Sequence, residues 1–114
     1  MNIEELVERY YFHDSLIENI LYIPDQNKVV MLIDFCFWLQ PSGNPGSKET
    51  GMIELTFSEV ELYKNQVTSY ESDSILEVHA KNNEIVFCNL NDSTQCYYEV
   101  VIKAQAVTFK KLSN

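Results

Sequence analysis

Residues 29–39 (Val-Val-Met-Leu-Ile-Asp-Phe-Cys-Phe-Trp-Leu) form the longest apolar run in the chain, broken only by Asp34. The run is far too short for a membrane-spanning helix, which needs about 20 apolar residues. Its β-branched and aromatic content, behind the turn sequence Pro24-Asp25-Gln26-Asn27, reads as a strand. Because it is apolar on both faces, the expectation is a central strand covered on both sides. Leu16 to Ile23 lies on the other side of the turn, so 16–23 and 28–38 are predicted to form a β-hairpin. The alternative is a second helix capped by Asp14, with Ile17, Ile20 and Leu21 on one face.

A helix precedes this hairpin. Asn2 and Glu5 have the spacing of a capping box. Ile3, Leu6, Val7, Tyr10 and Tyr11 then form an apolar stripe on a helix of about ten residues. Glu4, Glu5, Glu8 and Arg9 lie opposite the stripe. A helix this short is marginal alone and must dock on the remainder.

After the hairpin, residues 40–50 (Gln-Pro-Ser-Gly-Asn-Pro-Gly-Ser-Lys-Glu-Thr) make one long polar loop, a natural place for partner contact. Met52–Phe57 alternates as a strand, with Ile53, Leu55 and Phe57 on one side. Ser58 and Glu61 suggest a short capped helical turn through Val60 and Tyr63. Residues 64–74 look irregular. Strands are predicted at 75–80, 84–90, 95–103 and 106–110, the first three separated by turns at 81–83 and 91–94. Together these elements imply an α+β chain, mainly β. A short N-terminal helix packs on an antiparallel β-meander that forms a sandwich or partly open barrel, in a single domain spanning 1–114.

Composition narrows the function classes. With 46% apolar residues and three glycines, the chain can fill a core rather than remain disordered. The formal charge is -9, and no basic stripe is visible, so nucleic acid is not expected as a partner. Residues 1–61 hold eleven acids and three bases, so the acidity is concentrated in the first half. It serves solubility, or it steers a basic protein partner. The opening Asn-Ile-Glu-Glu-Leu has neither a basic n-region nor an apolar h-region, which points to a cytoplasmic protein away from membranes. Exposed strand edges leave room for homodimerisation.

Candidate site residues are few. His13 and Asp14, between helix and hairpin, pair an imidazole with a carboxylate and so offer a base or a metal ligand within a binding site. Asp14 capping a turn and His13 packing at the helix end is the plainer reading. Asp34, amid apolar neighbours, marks a pocket if it is buried; otherwise it points outward at a strand edge or pairs with a lysine or tyrosine. Trp38, the single tryptophan, ends the apolar run at the loop. Trp38, Tyr70 or Tyr97 would suit an interaction surface if exposed there. His79 falls with Ile75 and Glu77 on a face expected to be solvated. No HxH or HExxH spacing occurs, so neither a metal nor any other cofactor is expected. Cys36, Cys88 and Cys96 read as buried free thiols. Cys88 and Cys96 would face each other across a hairpin with a three-residue loop, but not across a four-residue one.

The segment Tyr11-Phe12-His13-Asp14-Ser15-Leu16-Ile17-Glu18-Asn19-Ile20 resembles small uncharacterised bacterial proteins, some of them similar to immunity proteins of toxin–immunity systems. The similarity covers about residues 10–38. It implies a non-enzymatic protein that blocks a partner, and it assigns no residue a role. Three functions follow in order of expectation. The first is a protein-binding module, of immunity type in one version, with its acidic surface toward a basic partner. The second is a ligand-binding barrel or sandwich with a pocket near Asp34 and Trp38. The third is a hydrolase-like enzyme using His13, Asp14 and Asp34.

Overall fold

A computed structural model describes residues 1–112. Helix α1 spans Ile3–Arg9, and the expected capping box is formed: Glu5 N–H donates to Asn2 Oδ1 at 2.8 Å, and Asn2 N–H to Glu5 Oε1 at 3.0 Å. The helix is shorter than the apolar stripe predicts, because the backbone turns extended at Tyr10. Tyr10 still packs on the core, whereas Tyr11 is 53% exposed. Asp14 does not start a second helix. Strand β1 (Leu16–Ile23) pairs with β2 (Lys28–Cys36) as the hairpin, through a 3-10 turn at Pro24–Gln26.

Strands β3 (Thr50–Lys64), β4 (Asp73–Lys81), β5 (Glu84–Asn91) and β6 (Cys96–Lys111) complete an antiparallel ring in the order β1-β2-β3-β6-β5-β4. Only two residue pairs, Leu16 with Ser74 and Ile17 with Asp73, join β1 to β4. The ring is therefore a partly open barrel rather than a regular one. Helix α1 packs against β4 and β6 and drives Ile3 and Leu6 into the core.

Two expectations about strand length are corrected. The helical turn at Ser58–Glu61 is absent, and β3 runs on through it with a register shift between Val60 and Leu62. The two strands expected at 95–103 and 106–110 are one 16-residue strand, β6. Its first part pairs with β5 and its second with β3, so one continuous ladder bridges both neighbours. Non-local pairing overrides local turn preference here.

The interior is filled. Phe35, Phe57, Phe87, Met31, Ile33, Ile53, Leu55 and Ile85 are all fully buried. Phe35 is the hub: its ring meets Phe12 at 5.4 Å, Phe37 at 5.2 Å, Phe109 at 5.3 Å and Tyr10 at 6.1 Å, all edge-on. Edge-to-face pairs of this kind add to the area term. β2 does lie between two strands, but it is not covered on both faces. Val30, Leu32 and Asp34 face outward and are only half-buried, beside Leu21, Asn19, Thr56 and Glu54 of the flanking strands.

The seam between β1 and β4 is held by polar groups. Asp73, fully buried, accepts from the Tyr98 hydroxyl at 2.6 Å and from Asn91 Nδ2 at 3.0 Å. Next to it, Asn65 Nδ2 donates to the hydroxyls of Tyr63 and Tyr70, tying the irregular 65–72 link to the barrel. Burial and the adjacent Asp73 push the Tyr98 hydroxyl far above the ordinary tyrosine range, and burial, chiefly, takes Tyr70 to about 12. Among the described residues no helix is long and apolar enough to cross a membrane.

Candidate functional site: an aromatic cleft at the end of the barrel

A concavity lies where the C-terminal end of α1, the end of β2 and the end of β6 meet the loop 40–49. Its volume is about 640 Å³, within the range of about 300–1,000 Å³ typical of small-molecule sites. Tyr10, Phe35, Phe37, Trp38 and Phe109 supply its aromatic lining. Tyr10 stacks flat on Phe109, with centroids 4.0 Å apart and planes 3° from parallel. Lys111 Nζ sits 4.6 Å above the Phe37 ring. Arg9 and Glu49 are the charged groups around these rings, and Gln40, Ser42, Asn44 and Ser47 add polar ones.

The loop wall is tied down by specific bonds. Trp38 N–H donates to Glu49 O at 3.2 Å and closes the base of the loop. Asn44 and Ser47 organise the far side: Gly46 N–H donates to Asn44 Oδ1 at 3.0 Å, and the Ser47 hydroxyl to Asn44 O at 2.8 Å. Gln40 clasps the segment after the helix. Its Nε2 donates to Tyr11 O at 2.7 Å and Cys36 O at 2.9 Å, while its Oε1 accepts from Tyr11 N–H at 2.8 Å. Gly43 runs so close to the 37–38 backbone that a Cβ there would lie 2.3 Å from Phe37 O.

The candidate residues from the sequence are dispersed around this end. Trp38 lines the cleft, half-buried. Asp34 does not; it points out of β2 opposite Leu16 and Met52. His13 and Asp14 do touch, with Nε2 3.3 Å from Asp14 Oδ1, and His13 Nδ1 donates to Leu76 O at 2.7 Å. That bond to β4 anchors the ring across the seam. No hydrogen bond or ion pair joins Asp34 to this pair among the described residues.

Cys36, 6% exposed, feels the charges of both Asp14 and Asp34. Burial, chiefly, and then the charges of Asp14 and Asp34 push its thiol up, against a counteracting bond from Ser15. A reactive cysteine needs the opposite shift. The other two thiols are not buried as expected: Cys88 is partly exposed and Cys96 exposed. The hairpin register pairs Asn91 with Cys96 and Cys88 with Glu99. The connection is therefore four residues long, and the two cysteines do not oppose each other. Tyr97 is 74% exposed but lies at this hairpin, and Tyr70 is engaged in the seam, so Trp38 alone of the three aromatics borders the loop.

The sequence reading missed Tyr10, Phe35, Phe37 and Phe109 as site residues. Each looks like core in isolation, and only the meeting of α1, β2 and β6 brings them to one wall. No family model, no curated protein and no solved structure matches this chain.

Proposed function

We propose that this chain is a small non-enzymatic binding protein whose recognition site is the cleft under loop 40–49. The occupant is a small organic molecule with a flat apolar body, stacked against Phe37 and Trp38, and a polar or charged head at the rim beside Arg9 or Glu49. The aromatic wall in an open cleft of about 640 Å³ carries this reading. Sites of this size bind through an apolar lining with a few convergent polar groups. Binding rather than turnover fits the lining, in which, among the described residues, Glu49 is the single carboxylate and no histidine or cysteine takes part.

Trp38 is the only tryptophan, so its emission reports on the cleft directly. Titration with the anionic aromatic dye anilinonaphthalene sulfonate and with simple aromatic carboxylates should give saturable changes in Trp38 emission. Phe37→Ala removes one stacking face and should weaken binding by about tenfold, equivalent to about 1.4 kcal/mol. A flat titration, or an affinity unchanged in Phe37→Ala, contradicts the reading.

A second reading is a protein-binding role, of immunity type in the version the resemblance through Tyr11–Ile20 supports. It is favoured by unbalanced charge: among the described residues only Glu5 and Glu61 pair with a lysine or arginine, each at the surface. Charge complementarity of this sort speeds association with a basic partner. Capture of one basic protein, weakened as salt rises and by charge reversal at Glu4, Glu5 and Glu8, would support it. Capture that ignores both would remove it.

A further inference from the structure

Strands β4, β5 and β6 present a second group of chemistry-bearing side chains on the outer face, away from the cleft. The register places Glu77, Cys88 and Glu99 side by side in one cross-strand row. His79 is two residues beyond Glu77 on the same face. The Nε2 of His79 lies 2.9 Å from Glu77 Oε1, and Cys88 Sγ lies 3.7 Å from Glu99 Oε2. One donor atom each from Glu77, His79 and Cys88 falls within 4.8 Å of the others.

The backbone is shaped to make this arrangement. Ile75 pairs with Asn89 and Glu77 with Cys88, so Leu76 is an extra residue in β4. Ile75 and Asn89 are both buried. Simple alternation from Ile75 would turn Glu77 and His79 inward with it. The bulge re-aims both onto the face that carries Cys88, which is a known use of bulges. The result gathers acceptors and donors suited to a cation: two carboxylates flank one thiol in register, with an imidazole beside the first and no lysine or arginine in the row. Burial first, then Glu99 and Glu77, push the Cys88 thiol up.

We propose that Glu77, His79 and Cys88 form a binding site for a zinc-class divalent transition-metal ion, with Glu99 beside Cys88 able to swing in as a fourth ligand. The donor set identifies the class. Thiolate and imidazole favour zinc and its neighbours, whereas calcium and magnesium take oxygen ligands. Around a tetrahedral zinc, with bonds of about 2.0–2.3 Å, neighbouring donors sit about 3.3–3.7 Å apart. The recorded separations bracket that spacing, and the side chains of Glu77 and His79, 62% and 63% exposed, have room to adjust. Binding replaces the Cys88 S–H bond with a metal–sulfur bond and releases one proton to solvent. The ion ties β4 to β5, and to β6 where Glu99 joins it. The exposure of its ligands makes the site an exchangeable one.

The test is a cobalt(II) titration of tag-free, reduced full-length protein, read by absorbance. Thiolate ligation gives a near-ultraviolet charge-transfer band, and the visible bands report tetrahedral geometry. The expected result is a band saturating at one equivalent, reversed by zinc. Cys88→Ser should abolish the band, and His79→Ala should weaken binding at least about tenfold, while Cys96→Ser changes neither. All three substitutions are at partly or fully exposed positions, and far-ultraviolet circular dichroism checks the fold. Absence of a charge-transfer band in the wild-type protein, its survival in Cys88→Ser, or unchanged affinity in His79→Ala would overturn the proposal.

Discussion

Gly43 offers a sharp test of how the cleft is built. A Cβ at this position would meet Phe37 O at 2.3 Å and the Cα and carbonyl carbon of Trp38 at 3.0 Å. Those atoms are backbone and cannot swing aside. Ordinary contact begins at about 3.4 Å, so Gly43→Ala must push the loop and the 37–38 segment apart by about 1 Å. Forcing a methyl group into a packed position costs typically about 1–3 kcal/mol. For a chain of this size, with about 4 °C of Tm per kcal/mol, that is a fall of about 4–12 °C. The displacement falls on Trp38 itself, so its emission should shift to longer wavelength as its contact with the loop loosens. Gly46 is the internal control, because a Cβ there would approach nothing closer than Asn44 Oδ1 at 3.4 Å. Gly46→Ala should leave Tm and emission near wild type. Thermal melts and fluorescence spectra of the two variants decide the matter. A Gly43→Ala protein within about 1 °C of wild type, with unchanged emission, would refute the close approach.

Four other outcomes follow from the packing and the seam. Phe35→Ala removes the ring that meets four others and should cost about 3–5 kcal/mol in urea unfolding. Asn2→Ala breaks the capping box and should cost about 0.5–2 kcal/mol by the same assay. Tyr98 and Tyr70 stay protonated in the fold at pH values where unfolded tyrosines, with a pKa of about 10, ionise. The folded state then holds more protons than the unfolded one, so stability is intact below about pH 10 and declines above it. Tyrosine absorbance should show these two rings titrating only as the fold is lost, and Tyr98→Phe should flatten the decline. Finally, a thiol reagent such as dithionitrobenzoate should modify Cys96 quickly and Cys36 only on unfolding, because Cys36 is buried with its thiol held protonated.

Much of the architecture is legible in local chemistry. The capping box of Asn2 and Glu5, the Pro24–Asn27 turn, and the alternation of Met52–Phe57 each follow from nearest neighbours and correspond to observed elements. What escapes is decided by pairing at long range. Nothing near Ser58 reveals that β6 will extend β3 through it, and nothing near Ala104 reveals that one strand serves two neighbours. The bulge at Leu76 inverts which residues accompany Ile75. Glu77 and His79 are exposed as alternation suggests, but Ile75 is buried. A period-2 pattern carries no mark of one extra residue. The apolar run 29–39 is misleading for a related reason: Val30 and Leu32 face a surface only half-covered by flanking side chains. The cleft is harder still to read, since its wall joins residues from positions 9–10, 35–49 and 109. Trp38 and the loop 40–50 are the parts of it that the sequence singles out.

The claim that this cleft is the binding site is tested most directly by amide and indole chemical-shift mapping of the isotope-labelled protein with aromatic carboxylate fragments. The account predicts saturable shifts concentrated at the Trp38 indole, Phe37, Gly43, Asn44 and Phe109, with the β4–β6 outer face around Cys88 unmoved. Shifts centred elsewhere on the barrel, or no saturable shift at Trp38 across the fragment set, would contradict it.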